Sequence, residues 1–336
     1  MRTKINIKFW FGIAVSLFFM VLLFNKIDFR KLGAALESAD YRYVFLAVCF
    51  TFVSYFLRAL RWRYLLITEK PLPLYSLYSA TIIGYMANNL LPARLGEFVR
   101  AYTLARREQL ETPAVFASLV IDRLFDGFSV LFLLLLALFT LQLPAGMEDA
   151  AIALRVGGTF MFSLYCVVIL FLYLLKRQTM RTLSVVKYVL KPFPQRTADA
   201  LIPLLGSFIG GIRLSPKLRH WSALVATSAG IWLCCLLAVD MTLKSFNVNL
   251  PITASMFILV LLVFAVMVPA SPGFIGTYHY ACYKGLSVFS IPETTSVSIA
   301  LVMHGTSFFP VIIAGFYYLW RNKLSLNELQ GAEKAR

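Results

Sequence analysis

Two short blocks of charged residues have the clearest potential for chemistry in this sequence. Arg94, Glu97 and Arg100 recur every three residues, a spacing that places them roughly on one face of a helix. A second block follows at Asp122, Arg123 and Asp126. Arginine binds phosphate through a planar fork of donors, so these guanidinium groups could hold an anionic group. The carboxylates would then orient the arginines or bind a coupling proton.

The same residues also have a purely structural interpretation. A charge at mid-membrane costs roughly 2.5–3.5 kcal/mol on insertion scales, and mutual pairing lowers that cost. Glu97 with Arg123, or an aspartate with Arg94 or Arg100, would form such pairs. Direct contact with a substrate and structural ion pairing are both open on the sequence alone.

The residues around both blocks identify the class of protein. The chain has 336 residues, of which 60% are hydrophobic and 14% are charged; a soluble domain has about a quarter charged residues. Long, continuous apolar runs recur from end to end, which favours helices over the alternating strands of a barrel. The sequence therefore predicts an all-α, polytopic helical membrane protein.

The net charge of +16 reflects the loops rather than a nucleic-acid partner, and none is expected. Lys and Arg cluster between apolar runs, as they do in cytoplasmic loops. Residues 176–219 carry nine Lys or Arg against one acid, Asp199, and are interpreted as a cytoplasmic amphipathic segment. The pattern predicts a multi-pass protein of the cell inner (cytoplasmic) membrane, with both termini in the cytoplasm.

The order of the apolar runs predicts two related halves. Crossings are expected at residues 9–24, 43–66, 127–143, 156–175, 221–243 and 296–320. Re-entrant helical hairpins are expected at 72–107 and 253–290. Residues 1–143 would form a first transmembrane repeat and residues 144–336 a second, inverted one, a design common in transporters. Full crossings in place of a hairpin are the alternative.

Proline and glycine interrupt both hairpins at their tips. The breaks are Pro92 and Gly96 in the first hairpin, and Pro269, Pro272, Gly273 and Gly276 in the second. Proline removes a hydrogen-bond donor, and glycine permits close backbone approach. Each helix beyond a break would point its free amides and positive dipole end into the membrane interior. Two such ends, meeting from opposite faces, would bind an anion.

Further polar residues lie near these breaks. Asn88 and Asn89 would either cap the first hairpin or line a pore. Tyr278 and His279 follow the second break, and His304 lies in the last span. The histidines would be packed, hydrogen-bonded residues or, alternatively, a proton relay.

Arg58 and Arg61 lie towards the inner end of the crossing at 43–66. Long arginine side chains near the end of a span usually reach the headgroups. Both are therefore expected at the inner membrane interface, with lipid recruitment as the alternative role.

Three sequence blocks, taken together, resemble one known family. They are "NNLLPARLGEFVRAYTL", "VIDRLFDG" and "VPASPGFIGTYHYA", and their order and spacing resemble the lysylphosphatidylglycerol synthase transmembrane-domain family of flippase-like proteins. The matching positions are Asn89, Pro92, Arg94, Gly96, Glu97, Arg100, Asp122, Arg123, Asp126, Pro269, Pro272, Gly273 and Gly276. Many relatives have an Arg-Glu pair where this chain has Tyr278-His279, which suggests a different substrate.

The resemblance implies movement of an anionic or lipid-linked headgroup across the bilayer. The expected function is a flippase-like transporter of an anionic phospholipid or a polyprenyl-phosphate-linked lipid, with no catalytic residue, metal or cofactor. The chain ends at Arg336, without the soluble aminoacyl-transfer domain of bifunctional relatives, so lipid lysylation by this chain alone is not expected.

Two other functions are kept as alternatives. The first is a membrane-embedded enzyme that modifies a lipid phosphate, with His279 or His304 as acid–base groups. The second is a non-transporting protein that presents lipids to a separate transferase docked on residues 176–219. Self-association into a homo-oligomer is compatible with each of these functions.

Overall fold

The structure is a computed structural model. It describes residues 29–68, 71–91, 95–140, 148–177, 206, 209–210, 217–267 and 272–322. The helices are α1 (Phe29–Glu37), α2 (Tyr41–Leu65), α3 (Leu74–Leu90), α4 (Gly96–Glu108), α5 (Thr112–Thr140), α6 (Glu148–Arg177), α7 (Leu218–Ser245), α8 (Ile252–Met267), α9 (Thr277–Ser287) and α10 (Glu293–Arg321). A 3₁₀ turn, Pro272–Phe274, separates α8 from α9. No strand occurs among the described residues.

Three of the described helices are long and apolar enough to cross a membrane. They are α2, α7 and α10, with 25, 28 and 29 residues. At 1.5 Å per residue each is at least about 37 Å long, which exceeds the roughly 30 Å hydrocarbon core. The prediction of an all-α, polytopic helical membrane protein is confirmed.

The pairing of α2 with α7 forms the most extensive helix contact. Asp40 caps α2 by accepting a hydrogen bond from the Arg42 amide at 3.0 Å. The Asp40 amide donates to the Ser245 carbonyl at 2.8 Å, which ties the start of α2 to the end of α7. The two helices therefore run antiparallel with their ends in register.

Helix α5 differs from the expected crossing at 127–143, because it begins at Thr112 and is continuous through the second charged block. Pro113 occupies a first-turn position, where a missing amide hydrogen costs nothing. Asp122 and Asp126 therefore lie on a helix rather than in a connecting loop.

Each predicted hairpin forms two packed helices separated by a break, α3 with α4 and α8 with α9. The second arms, α4 and α9, have 13 and 11 residues, or about 20 and 16 Å, which is short of a membrane crossing. The two breaks meet: a Cβ on Gly273 would lie 3.6 Å from the Asn89 carbonyl oxygen. The re-entrant course of the hairpins, the inverted repeat and the domain boundaries stay predictions.

Some predicted features lie outside the described residues. They are the crossing at 9–24, the residues Pro92, Arg94 and Pro269, and all but a few positions of the segment 176–219. At its end, Leu218 and Arg219 already belong to α7.

Two apolar cores flank the second charged block. The first joins α2, α3, α4 and the start of α5, and it reaches Ile121. The second joins the rest of α5 to α7, α8, α9 and α10, and it begins at Val130. Asp122 and Asp126 fall between these two cores, and both are buried.

Two glycines, Gly84 and Gly96, allow the two helices of the first hairpin to pack closely. A Cβ on Gly96 would overlap the Gly84 carbonyl oxygen and the Asn88 side chain. One on Gly84 would lie 2.8 Å from the Cβ of Arg100. Only residues without side chains allow α4 to lie this close to α3, and this approach brings Arg100 into the protein.

Replacing Gly96→Ala is expected to lower stability by about 1–3 kcal/mol, since the added methyl group forces α4 away from α3. Thermal unfolding of the purified protein in detergent measures the loss. Gly157→Ala on α6 is the matched control, because a Cβ there would meet nothing within 4 Å. A melting temperature equal to wild type in Gly96→Ala would contradict the close packing of the hairpin.

Candidate functional site

A fully buried carboxylate, Asp122, lies at the centre of the site. Its oxygens accept hydrogen bonds from Arg61 Nε at 2.8 Å, Arg123 Nη2 at 2.9 Å and Arg100 Nη1 at 3.1 Å. These arginines come from α2, α5 and α4, so one side chain joins three helices. A buried carboxylate needs such partners, because an unpaired charge in this environment costs several kcal/mol.

Asp126, one turn further along α5, forms the second centre. It accepts from Arg58 Nη1 and from Arg61 Nη2, both at 2.7 Å, and pairs with Arg123 Nη1 at 3.1 Å. Arg61 also donates to Ser228 on α7 at 3.1 Å, so all three of its nitrogens are engaged.

Helical periodicity brings these two arginines and two aspartates together. Arg58 and Arg61 are three residues apart on α2, and Asp122 and Asp126 are four residues apart on α5. Residues three or four apart share one helix face, so two arginines oppose two aspartates. The expectation that Arg58 and Arg61 reach the inner headgroups is wrong, since both are buried in these ion pairs. Carboxylates inside the protein provide stronger partners than the interface does.

Glu97, on α4, completes the cluster at its outer edge. Its carboxylate lies 3.6 Å from Arg123 Nη1, and its side chain is 23% exposed. The described cluster therefore holds four guanidinium groups and three carboxylates, which leaves one excess positive charge.

Several donors in this region have no hydrogen-bond acceptor among the described residues. They are Arg58 Nε, Arg100 Nε, Arg100 Nη2, Arg123 Nε and Trp232 Nε1. The Arg100 guanidinium stacks instead on the ring of Trp62 at 4.1 Å, a cation–π contact that partly compensates it. Unsatisfied buried donors are costly.

A cavity of about 520 Å³ opens beside the cluster. The charged residues of its described wall are Arg58, Arg123 and Asp126, and Tyr85 and Trp232 lie at the same end. Apolar side chains form much of the remaining wall, among them Val130, Leu131, Val239, Leu259, Leu262 and Val263. The cavity therefore has one charged end and a long apolar surface.

Tyr165 of α6 lies at the edge of this cavity. Its phenol oxygen occupies the space where a Cβ of Gly127 would lie. Glycine at this position lets α6 approach α5 directly beside Asp126.

The other predicted site residues have separate places. Asn88 Oδ1 accepts from the Gly96 amide at 2.8 Å, so Asn88 caps α4 instead of lining the cavity. Asn89 lies at the contact between the two breaks through its backbone carbonyl. Arg94 lies outside the described residues, so the structure brings together Glu97, Arg100, Asp122, Arg123 and Asp126 of the two predicted blocks.

The polar residues of the second hairpin form a separate ring cluster. His279 Nδ1 accepts from the Gly276 amide at 3.3 Å, and the side chain of His304 hydrogen-bonds to the Gly273 backbone. The two imidazoles pack edge to face with centroids 4.8 Å apart. Of these residues Tyr278 lines the cavity, and its ring lies 5.0 Å from His304.

Sequence reasoning missed five contributors to the site, namely Arg58, Arg61, Tyr85, Tyr165 and Trp232. The two arginines carried a signal, because they lie three residues apart and so share one helix face, as do the two aspartates four residues apart. The three aromatic residues carried none, since aromatic residues are common throughout these spans.

No group of three potential metal ligands occurs within the described ranges. The hydrogen-bond donors of the cavity wall are guanidinium, indole and phenol groups, which suit an anion.

The family comparison agrees with the architecture. Residues 9–315 match the family described as lysylphosphatidylglycerol synthase TM region. The chain belongs to this family. The resemblance expected from the three sequence blocks is confirmed, and the protein is a multi-pass integral membrane protein.

Two membrane proteins of similar length and one larger protein are similar in sequence to this chain. A UPF0104 membrane protein from Methanothermobacter thermautotrophicus is 26% identical over 318 residues, or 90% of each chain. UPF0104 membrane protein MJ1595 from Methanocaldococcus jannaschii is 21% identical over 94% of this chain and 96% of its own.

The larger relative is Glycosyltransferase AglD from Haloferax volcanii, 31% identical over 150 residues. The match covers 44% of this chain but only 24% of that protein's length. No solved structure matches the chain.

The substitution Asp122→Asn is expected to destabilise the protein by about 3–5 kcal/mol, because it leaves the buried Arg100 without its carboxylate partner and removes one counter-charge of Arg61. Thermal unfolding in detergent measures the effect. Asp40→Asn makes the same chemical change at an exposed helix cap, where asparagine caps as well as aspartate, and it serves as the matched control. Equal melting temperatures for the two variants would contradict the central role of Asp122.

Proposed function

We propose that this protein is a flippase-like transporter that moves the headgroup of an anionic phospholipid or a polyprenyl-phosphate-linked lipid across the bilayer. The observation that carries the proposal is the buried cluster with one excess positive charge beside a largely apolar cavity. The charged cluster suits the headgroup of an amphipathic lipid, and the apolar cavity suits the chain to which that headgroup is attached.

The physical obstacle to such transport is the desolvation of the headgroup. A phosphate loses its water on entering hydrocarbon, at a cost that only charged or hydrogen-bonding partners offset. Arg58 and Arg123 line the cavity and supply these partners. The apolar wall contributed by α5, α7 and α8 leaves the acyl or prenyl chain in surroundings like those of the bilayer.

The contact between the two breaks provides a natural place for the conformational change. Gly273 packs against the Asn89 carbonyl and against Phe308 of α10. Irregular backbone in a transporter is tolerated where it lines a cavity or is buried in protein. Separation of the two tips would open the site to one side of the membrane, and their contact would close it.

The names of the related proteins support a lipid substrate. The family description names a synthase of lysylphosphatidylglycerol, and one partial relative is named a glycosyltransferase. The basic loops favour placement in the cytoplasmic membrane with both termini inside.

Transport is tested in proteoliposomes with acyl-labelled fluorescent phosphatidylglycerol and a membrane-impermeant quencher, with and without an imposed proton gradient. Wild-type protein is expected to expose inner-leaflet lipid faster than empty liposomes do. Arg123→Gln is expected to slow exposure about tenfold or more, since a hydrogen bond to a charged group contributes roughly 1.5–3 kcal/mol.

Arg107→Gln is the matched control. Arg107 lies on α4 like the cluster residue Arg100, but it stacks on Tyr75 and hydrogen-bonds Asn322 outside the cavity. Its variant should transport at the wild-type rate. A wild-type rate in Arg123→Gln, or no rate above empty liposomes for the wild type, would remove the proposal. Mass spectrometry of the recovered lipid should show an unchanged mass; a new mass would favour the enzymatic alternative.

A further inference from the structure

We infer that the site selects lipids whose headgroup is a phosphodiester with one negative charge, in preference to phosphate monoesters and pyrophosphates. The inference rests on the proposed function, because it specifies the substrate of the same cavity. It follows from the charge of the site and from the donors that remain free.

The described site has one excess positive charge, whether the cavity wall alone or the whole cluster is counted. In the described cavity wall, Arg58 and Arg123 face the single carboxylate of Asp126, which leaves one positive charge. The wider cluster adds two positive charges, Arg61 and Arg100, and two negative charges, Glu97 and Asp122, so the excess is again one positive charge. A ligand with one negative charge makes the occupied site neutral.

Neutrality matters here because the site lies between two apolar cores. An uncompensated charge in such surroundings keeps a large part of its desolvation cost. A dianionic phosphate would replace an excess of one positive charge with an excess of one negative charge. Electrostatic complementarity between buried charges therefore discriminates by ligand charge.

The other two arginines cannot serve a second phosphate charge. Arg61 is completely buried, and its nitrogens are held by Asp122, Asp126 and Ser228. Arg100 is buried between Asp122 and the ring of Trp62. Both contribute to the structure of the cluster rather than to the cavity surface.

Three hydrogen-bonding side chains of the cavity wall, Arg58, Arg123 and Trp232, suit the two unesterified oxygens of a phosphodiester. One nitrogen of each, Arg58 Nε, Arg123 Nε and Trp232 Nε1, is buried and has no acceptor among the described residues. Their side chains meet at one end of the cavity: the Arg58 guanidinium lies 5.8 Å from the Trp232 ring and 5.6 Å from the Tyr85 ring. Arg123 donates to the Tyr85 hydroxyl at 3.3 Å.

The test measures binding rather than transport, using the purified full-length chain in detergent and calorimetric titration at pH 8. Dihexanoylphosphatidylglycerol carries one negative charge, dihexanoylphosphatidic acid about two, and dihexanoylphosphatidylcholine is the zwitterionic probe. Phosphatidylglycerol is expected to bind at least about tenfold more tightly than either of the others. Equal or tighter binding of phosphatidic acid to the wild type would overturn the inference.

Two variants move the charge in opposite directions. Glu97→Gln adds one positive charge at a partly exposed position and should shift the preference toward phosphatidic acid. Arg123→Gln removes one and should abolish the preference for phosphatidylglycerol over phosphatidylcholine. If Arg123→Gln fails to fold, Glu97→Gln alone decides, and an unchanged preference in it contradicts the inference.

A matched control separates local charge from total charge. Arg107→Gln changes the net charge of the protein away from the cavity and should leave the preference unaltered. A shifted preference in Arg107→Gln would show that the described cluster does not set the selectivity.

Two further probes identify the source of the phosphodiester. Glycerophosphoglycerol has the headgroup without the chains, and inorganic phosphate has neither. The apolar wall predicts at least about tenfold weaker binding of both; equal binding of glycerophosphoglycerol would overturn the lipid part of the inference. If the wild type transports lipid but shows no preference for phosphatidylglycerol in the binding titration, this inference is rejected and the proposed function stands. If the wild type shows the binding preference but transports no lipid, the proposed function is rejected and the binding preference stands.

Discussion

The ion pairs between α2 and α5 are the interaction on which the rest of the structure depends. Arg61 joins Asp122 to Asp126, and Arg58 and Arg123 bind the second aspartate from either side. Removing either aspartate leaves a buried arginine without its carboxylate, Arg100 in the case of Asp122 and Arg58 in the case of Asp126, which is far more costly than the pair is stabilising. Mutual dependence of this kind holds the helices in one arrangement while leaving a positive charge unmatched.

That unmatched charge separates two roles that the sequence left in competition. Structural pairing and the proposed substrate contact involve different arginines: Arg61 and Arg100 are enclosed by protein partners, whereas Arg58 and Arg123 also border the cavity. The same carboxylates serve both groups. A cluster that stabilises the fold can therefore present donors of fixed geometry to a ligand, with little reorganisation needed on binding.

Structural features set by local sequence could be predicted, whereas contacts between helices that are distant in the sequence were harder to predict. Composition and apolar runs were enough for the helical membrane class, and the local sequence at Pro92 and Gly96 indicated the break that separates α3 from α4. The ion pairs were harder, because they require knowing that α2 adjoins α5. The prediction for Arg58 and Arg61 therefore relied on the general behaviour of arginines near the end of a span, although each pair, Arg58 with Arg61 and Asp122 with Asp126, already had a spacing that places it on one helix face. The cavity aromatic residues depend on tertiary packing throughout and had no sequence signal.

Pro310, inside α10, has a mechanical consequence. A proline has no amide hydrogen, so the carbonyl of Thr306 lacks its usual donor one turn away. Thr306 borders the cavity, which places the weakest point of this long helix at the level of the cavity. Beyond it, Tyr318 packs on Tyr75 and Tyr78 of the first hairpin. Pro310 therefore separates a distal half of α10 that packs on the first hairpin from a proximal half that packs on α9 through His304.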